Sequence, residues 1–300
     1  MAAAILVSLS ISTVRGAEAG TGPEPVLKVT DPGKGERHEL RFKIAKGWKE
    51  SAVMLTRMEV TTEMPGLTLP PRKLPTPELD LRVEVTDVAE GGDFTYSFQF
   101  YDVRVKQEEG VSSTILEMLK TQLQSLKGLS GTAVVTNRGL ARKVEVKIPD
   151  SATPQMRQTL ESTLQSFKNF SMPMPEEPVG VGAKWEVSQE IETGGLKVHQ
   201  VSSYEVVKIE GGQVQLKIEV KHSADPQDVK APNPAAAAKL SLVSMDLRGT
   251  GEALLELQRV LPEKLEIQVG GEYKMRMDSG GQPREMTTKA RMLTRLSRTE

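Results

Sequence analysis

Apolar and polar residues alternate with a period of two along most of the chain. The pattern is clearest over residues 40–44, 52–60, 79–86 and 94–100. Alternation of this kind is typical of antiparallel strands that bury one face and expose the other to water. The Gly91-Gly92 step after the third segment predicts a tight hairpin turn.

The second half of the chain repeats this pattern. The Gly91-Gly92 step has a counterpart at Gly211-Gly212, 120 residues further on, and Gly131 has a counterpart at Gly249. Upstream, Lys46-Gly47-Trp48 resembles Ala183-Lys184-Trp185. We interpret these matches as two β-rich modules of about 120 residues. Chance similarity between alternating strands is the alternative.

Three segments instead have the spacing of amphipathic helices. Residues 114–127 follow a serine cap and end at Gly128, and residues 154–170 begin with a threonine cap and a first-turn proline. A weaker helix is predicted over residues 234–243. The predicted fold is therefore mainly β (α+β), with two tandem antiparallel β modules that form twisted or half-barrel sheets, covered by two or three amphipathic helices.

The first nineteen residues have the features of a secretory signal peptide. Residues 2–14 are apolar or small, and Ala17-Glu18-Ala19 fits a small-x-small cleavage site, although no basic residue precedes the apolar stretch. We therefore predict an exported protein, periplasmic or extracellular. A disordered N-terminus on a cytoplasmic protein is the alternative. No later segment reaches the roughly 20 apolar residues that a membrane-spanning helix needs.

These patterns divide the chain into five parts. We predict, in order, a signal peptide, a flexible lead-in rich in Gly and Pro, a first β module, a linking helix with a Pro-rich connector, and a second β module. Their bounds are 1–19, 20–34, 35–152, 153–175 and 176–300.

Composition narrows the range of functions. The 39 basic and 40 acidic residues give a net charge of -1, which argues against a nucleic-acid partner. The absence of Cys excludes disulfides and cysteine-based metal sites. No catalytic motif is recognisable, and His38, His199 and His222 lack metal-ligand spacing. We predict no catalytic residue, no metal and no cofactor. A hydrolase is the weaker alternative, which needs these histidines or several acids to converge.

Methionine is the remaining distinctive feature, with 13 residues. Its flexible, polarizable side chain suits irregular apolar cavities, although ordinary core filling is the alternative. We predict that a concave β surface binds a lipid, another apolar ligand or an envelope protein. A structural or interaction module of the cell envelope with no ligand cavity is the competing hypothesis. The candidate groove residues are Met54, Met58, Met118, Leu123, Leu160 and Phe167.

The residues Pro178, Val179, Gly182 and Trp185 form a Pro-Val-x-x-Gly-x-x-Trp motif. The motif resembles one in a family of secreted bacterial β-rich proteins of unknown function, and the resemblance covers chiefly residues 170–300. It implies an exported, duplicated β protein and brings no catalytic residues. We expect a structural motif in which Gly182 provides a turn and Trp185 plugs the sheet edge.

At the level of fold alone, the predicted architecture is also similar to periplasmic lipoprotein-carrier and lipid-binding half-barrels. Members of the secreted family are often lipoproteins. The present chain lacks the cysteine that carries the lipid, so the resemblance does not extend to membrane anchoring.

Overall fold

The structure is a computed structural model that describes residues 24–124, 126–147, 172–193, 195–229, 238–279 and 282–299. The predicted signal peptide, and the predicted helix over residues 154–170, lie outside these ranges. The described residues form one helix and seventeen strands.

The elements follow one another along the chain with these bounds: β1 (Val26–Asp31), β2 (Lys34–His38), β3 (Lys49–Met64), β4 (Leu67–Thr68), β5 (Arg72–Lys73), β6 (Thr76–Val88), β7 (Phe94–Lys106), α1 (Ser113–Gln124), β8 (Ser130–Val135), β9 (Ala141–Lys147), β10 (Val179–Val181), β11 (Lys184–Thr193), β12 (Leu196–Glu210), β13 (Gln213–Ala224), β14 (Gln227–Asp228), β15 (Ala238–Glu256), β16 (Lys264–Ser279) and β17 (Gln282–Thr299).

Most strands belong to one large antiparallel sheet, which confirms the mainly β prediction. Its strand order is β1-β11-β12-β13-β15-β16-β17-β3-β6-β7-β8-β9, with the short strands β4 and β5 beside β3 and β14 beside β15. The sheet is open, with β1 and β9 at its two edges. Strands β2 and β10 pair separately with each other.

The prediction of two tandem sheets is wrong, because the terminal strands cross over. The N-terminal β1 pairs with β11, and the C-terminal β17 pairs with both β16 and β3. Each half of the sheet therefore contains one strand from the opposite end of the chain. The segment predicted as a flexible lead-in, 20–34, contains β1 and so contributes to the sheet.

The prediction of two or three covering helices is also wrong for the described residues, which contain only α1. At the start of α1, the hydroxyl of Ser112 accepts the backbone N–H of Ile115 at 3.3 Å, as the predicted cap requires. Residues 238–243, predicted as helix, belong to β15. There Leu242 pairs with Met275 of β16 and is buried, so sheet pairing overrides the helix propensity of an alanine-rich segment.

The sheet consists of two six-stranded halves with corresponding order. We call β17-β3-β6-β7-β8-β9 the first half-sheet and β1-β11-β12-β13-β15-β16 the second half-sheet. Both carry a bulge at the same point, after Val85 in β6 and after Val206 in β12. The N–H of Gly47 donates to the carbonyl of Val85 at 2.8 Å, and that of Gly182 donates to Val206 at 2.8 Å. These bonds align Gly47 with Gly182, so Trp48 is not the counterpart of Trp185.

Glycine also marks equivalent positions in β8 and β15. Gly131 lies opposite Phe98 of β7, and Gly251 lies opposite Ile218 of β13. A Cβ atom would lie 2.2 Å from a carbonyl oxygen of β9 at Gly131 and 2.4 Å from one of β16 at Gly251. Neighbouring strands therefore approach too closely for any side chain at these points. The structural counterpart of Gly131 is Gly251, not Gly249.

The main hydrophobic core draws on both half-sheets. Phe100 and Val85 of the first pack in the same cluster as Trp185 and Leu216 of the second. The sheet must therefore curve until its two halves share one interior. A smaller cluster, separate from the main core, lies around Leu242 of β15.

The connection between β2 and β3 crosses this interior. The N–H of Phe42 donates to the carbonyl of Asn137, in the β8–β9 turn, at 2.7 Å. The next residue, Lys43, donates to the carbonyl of Leu257, just after β15, also at 2.7 Å. The segment thus joins the first half-sheet to the end of the second.

Candidate functional site

An apolar cavity of about 140 Å³ lies on the core side of the first half-sheet. Alternate residues of β6 and β7 form one wall, because they share the face predicted to be buried. The most prominent lining side chains are Phe42, Met54, Phe94, Tyr96, Phe98 and Phe100. A cavity of about 150 Å³ lined by apolar side chains stays dry and holds a benzene-sized molecule. The cavity is thus large enough for a small apolar ligand or the end of a longer one.

The aromatic rings of the cavity contact one another in defined geometries. Phe42 and Phe94 meet edge to face, with centroids 6.2 Å apart and planes at 61°. Phe98 and Phe100 do the same at 6.3 Å and 69°. Burial raises the pKa of Tyr96 to about 12, so its phenol is neutral at physiological pH. These contacts fix the shape of the wall before any ligand enters.

The opposite wall comes from the second half-sheet, the loop that follows β15, and strand β17 of the first half-sheet. Leu255 at the end of β15, Val260 and Leu261 in the following loop, and Leu296 of β17 line this side. Glu256 and Arg259 are the two charged residues in the cavity lining. The cavity therefore lies at the junction of the two half-sheets and has one charged end.

A second, polar cleft of about 1080 Å³ adjoins the cavity. The two spaces share Val83, Phe98, Glu256 and Arg259 in their linings. The cleft is rich in charged residues of both signs, which also include Lys49, Glu50, Arg82, Glu84, Lys147, Glu263 and Arg298. An apolar chamber thus lies beside a hydrated, charged space.

Glu256 links two arginines at the boundary between the two spaces. Its Oε1 accepts a hydrogen bond from Nη2 of Arg298 at 2.6 Å, and its Oε2 accepts one from Nε of Arg259 at 3.3 Å. The hydrogen bond from Arg298 and the charges of both arginines hold the pKa of Glu256 below its usual value. The guanidinium carbon of Arg259 also lies 3.9 Å from the ring centroid of Trp48, a cation–π contact.

Glu50 lies in the same region, but its pKa is shifted in the opposite direction to that of Glu256. Its Oε1 accepts the N–H of Leu261 at 2.7 Å, and Nε1 of Trp48 lies 3.5 Å from its Oε2. Burial raises the pKa of Glu50, and these hydrogen bonds and the charge of Arg298 only partly offset it. Glu50 therefore holds the loop after β15 against the start of β3.

The structure brings few of the predicted groove residues together. Met54 lines the cavity, and Leu123 packs against the main core from the end of α1. Met58 is partly buried on β3 but does not line the cavity, and Met118 is 51% exposed on α1. Leu160 and Phe167 lie outside the described residues. A role of these six residues in ligand binding remains a prediction.

Sequence reasoning missed the aromatic wall. Aromatic residues make up only 4% of the chain, which argues against a stacking site. Yet Phe94, Tyr96, Phe98 and Phe100 all lie on one face of one strand. Their spacing of two was the signal that marked a locally aromatic surface.

The Pro-Val-x-x-Gly-x-x-Trp segment leads from β10, which pairs with β2, into β11 of the second half-sheet, and its Val179 and Trp185 pack into the main core. Trp185 is fully buried, stacks on Tyr204 with centroids 5.4 Å apart, and donates its indole N–H to the carbonyl of Pro173 at 2.9 Å. Gly182 has a φ of +80°, which favours glycine at this turn. Pro178 directly precedes β10. Trp185 lies one strand in from the edge strand β1.

The three histidines do not share one face of one sheet. His38 lies in the small sheet of β2 and β10, whereas His199 and His222 lie on the paired strands β12 and β13 with their side chains on opposite faces. His38 pairs with Val179 of β10. His199 faces Glu190 at 3.8 Å, and His222 lies 3.1 Å from the amide oxygen of Gln200, where burial lowers its pKa. In the part of the chain that the structure covers, no three His, Cys, Asp or Glu residues are grouped as metal ligands. Among the same residues, no helix is long and apolar enough to cross a membrane.

Comparison with known proteins gives one family. Residues 152–259 match a family of unknown function, DUF6263, and this range includes the segment from Pro178 to Trp185. The match covers less than half of the chain. No curated protein matches this chain. The predicted similarity to lipoprotein carriers is not among these findings.

Several solved structures are distantly similar. Pseudomonas aeruginosa OccK11 (OpdR) is 8% identical, with 88% of this chain and 100% of that chain covered and a TM-score of 0.20. Pseudomonas aeruginosa OpdQ is 7% identical, with 84% and 98% covered and a TM-score of 0.18. A structure described as "Asymmetric conductivity of engineered proteins" is 8% identical, with 83% and 100% covered and a TM-score of 0.19. TM-scores this low carry no argument about fold or function.

Proposed function

We propose that this chain is an exported, non-enzymatic protein that binds a small apolar ligand. The observation that supports the proposal is the apolar cavity of about 140 Å³ between the two half-sheets. Native cores contain few voids larger than a water molecule, so a lined space of this size is unusual for a merely structural module.

The cavity walls are suited to a preformed site. Four aromatic side chains project from one strand, β7, whose register with β6 and β8 is fixed by backbone hydrogen bonds. The cavity is smaller than the roughly 300–1,000 Å³ of sites for drug-sized ligands. The expected ligand is therefore a small molecule, or one short apolar segment of a larger molecule.

Binding of benzene and 1-hexanol to the purified chain tests this proposal. We expect saturable binding of both in titration calorimetry and in ligand-observed NMR. Ala141→Leu adds bulk at a residue that lines the cavity, and should weaken both ligands by about tenfold or more. Ala290→Leu is the matched control, because Ala290 is also a partly buried strand alanine but does not line the cavity.

The outcomes separate the two hypotheses. Loss of binding in Ala141→Leu, with affinity kept in Ala290→Leu, supports a ligand site in the cavity. Absence of saturable binding to the folded wild-type chain contradicts it and favours a structural or interaction module. Equal loss in both variants places the binding elsewhere.

Export has a separate test. The proposal that residues 1–19 are a signal peptide rests on their apolar stretch and on the small residues at 17 and 19. N-terminal sequencing of the protein from a host culture should give a mature chain that starts near Gly20. A cytoplasmic product that retains residues 1–19 would contradict export.

A further inference from the structure

We propose that the ligand is an anionic amphiphile, whose apolar end fills the cavity and whose carboxylate or phosphate head binds Arg259. This inference rests on the proposed function and adds the chemical class of the ligand. It depends on three observations: the position of Arg259, its orientation and the local balance of charge.

The first observation is that Arg259 belongs to both spaces. Its side chain lines the apolar cavity and also the polar cleft, and it is 30% exposed. A ligand whose tail lies in the cavity would place its other end beside this guanidinium. An amphiphile matches such a site, because one part of it prefers an apolar surrounding and the other part prefers water and charge.

The second observation is that the guanidinium of Arg259 is held in place while its outer nitrogens stay available. The cation–π contact with Trp48 and the hydrogen bond from Nε to Glu256 both restrain the guanidinium. Among the described residues, Nη1 and Nη2 of Arg259 have no hydrogen-bond partner. An arginine fork presented in this way binds carboxylate or phosphate oxygens with two parallel hydrogen bonds.

The third observation is that the lining of the polar cleft contains five basic and four acidic residues. Arg259 and Arg298 both bond to the carboxylate of Glu256. Nη1 of Arg298 is a buried donor with no acceptor in the described part of the chain. An anionic head at Arg259 would supply acceptors for the outer nitrogens of that guanidinium.

Two further carboxylates lie near this pair. Glu50 uses Oε1 to accept the N–H of Leu261. Glu263 is 43% exposed, and its Oε2 is 4.0 Å from Nη2 of Arg298, so it is a weak partner. Neither carboxylate is bonded to Arg259. The outer edge of Arg259 is therefore the site for the head group.

Ligands that share one tail test the inference. Hexanoate, hexyl phosphate and 1-hexanol are titrated into the full-length wild-type chain at neutral pH, with calorimetry and tryptophan fluorescence as readouts. We expect the better of the two anions to bind about tenfold more tightly than the alcohol, because a hydrogen bond to a charged group is added. Its binding should also change the emission of Trp48, which stacks against Arg259.

Arg259→Gln should reduce the ratio of anion to alcohol affinity to about one, and Arg259→Lys should restore only part of it, because lysine keeps the charge without the fork. Arg295→Gln is the control. Arg295 forms an ion pair with Glu266, with Nε 2.7 Å from Oε2, and neither residue lines the cavity or the cleft. Circular dichroism checks the fold of each variant. The ratio in the wild-type chain is a test that needs no variant.

Each result decides a different point. Binding of 1-hexanol with no preference for an anion overturns this inference and leaves the proposed function intact. Failure of all three ligands overturns the proposed function itself. A preference that survives Arg259→Gln shows that another residue binds the head. If inorganic phosphate binds as tightly as hexyl phosphate, the site binds free anions and the inference is overturned. If hexyl phosphate binds more tightly than hexanoate, the head group is a phosphate.

Discussion

The two half-sheets differ in volume and chemistry at one pair of corresponding inner positions. In the second half-sheet, Trp185 of β11 lies opposite Tyr204 of β12. In the first half-sheet, the alignment of Gly47 with Gly182 places Glu50 and Val83 at these positions, and they too lie opposite each other. One half thus has a buried aromatic stack where the other has an acid and a small aliphatic residue.

This difference explains where the open space lies. The Trp185–Tyr204 stack is fully packed in the main core. Glu50 lines the polar cleft, and Val83 lines both the cleft and the apolar cavity. In a sheet with two corresponding halves, one half can thus serve as a packed support while smaller side chains at the corresponding positions border open space in the other.

The largest expected effect comes from breaking the strand that joins the two halves. Thr294 of β17 pairs with both Ile267 of β16 and Thr56 of β3, so Thr294→Pro disturbs ladders on both sides. We expect calorimetry to show one transition for the wild-type chain, lowered as a whole by about 10 °C or more in the variant. Two transitions, of which only one moves, would show that the half-sheets unfold independently.

Substitution of the two tryptophans tests which half-sheet contributes more packing energy to the core. Trp185→Ala should cost roughly 3–5 kcal/mol of unfolding free energy, because a fully buried ring is removed. Trp48→Ala, in the first half-sheet, should cost clearly less, since Trp48 is only partly buried. Substitution of any single histidine should also cost less than Trp185→Ala. Urea denaturation measures all of these, and an equal or larger loss for Trp48 would contradict the comparison.

The paired glycines test whether the halves are built alike. Gly131→Ala and Gly251→Ala each place a Cβ atom against a carbonyl oxygen, at 2.2 and 2.4 Å, and should each destabilise by about 1–3 kcal/mol. Gly270→Ala is the control, because its nearest neighbour lies at 3.5 Å, an ordinary contact. Melting temperatures give the comparison. A neutral result for one of the first two variants would show that the halves bend differently there.

The smallest expected effect comes from the ionisation of Glu50, which lines the polar cleft. The folded pKa of Glu50 lies above its ordinary value of 4.5, so the folded state holds the proton more tightly and loses stability as the pH rises from 4.5 through the folded pKa. Glu50→Gln cannot ionise. Its stability relative to wild type should therefore increase over this interval and stay constant above it, as measured by urea denaturation at several pH values.

Glu256 provides the control of opposite sign. Its pKa is lowered, so its ion pairs stabilise the fold above pH 4.5 and this contribution is lost as the pH falls through the folded pKa. Glu256→Gln should therefore be less stable than wild type at neutral pH, and the difference should shrink in acid. The same pH trend for both variants would contradict the assignment of opposite environments.

Local features of the fold were predictable from the sequence. Alternation predicted β3, β6, β7, β12 and β13, the two Gly-Gly steps predicted their hairpins, and a serine cap predicted α1. The strand that alternation predicted over residues 40–44 was wrong, because this segment is the connection between β2 and β3. The exchange of β1 and β17 was not predictable, because a single sequence does not show which strand a distant strand will pair with. The same limit applies to residues 238–243, where pairing with β16 decides against helix.

The candidate site was less predictable than the fold. Alternation showed that Phe94 to Phe100 share a buried face. Whether such a face leaves a cavity depends on the residues opposite it, here Leu255 and the loop up to Leu261, which lie more than 150 positions further along the chain. Methionine count indicated apolar adaptability, but among the four predicted groove residues that the structure describes, Met54 alone is found in the lining.

The crossing of the terminal strands also determines how the chain can fold during synthesis. Strand β1 cannot pair until β11 has been made. One edge of β3 can pair with β6, but its other edge stays unpaired until β17 has been made, since residue 51 pairs with residue 299. Until then both strands present unpaired edges to other chains. Contacts so distant in sequence form slowly, and the intermediates that precede them are prone to aggregate. The large sheet is therefore completed only after β17 has been synthesised, and a partner that shields β-strand edges in the meantime would raise the yield of folded protein.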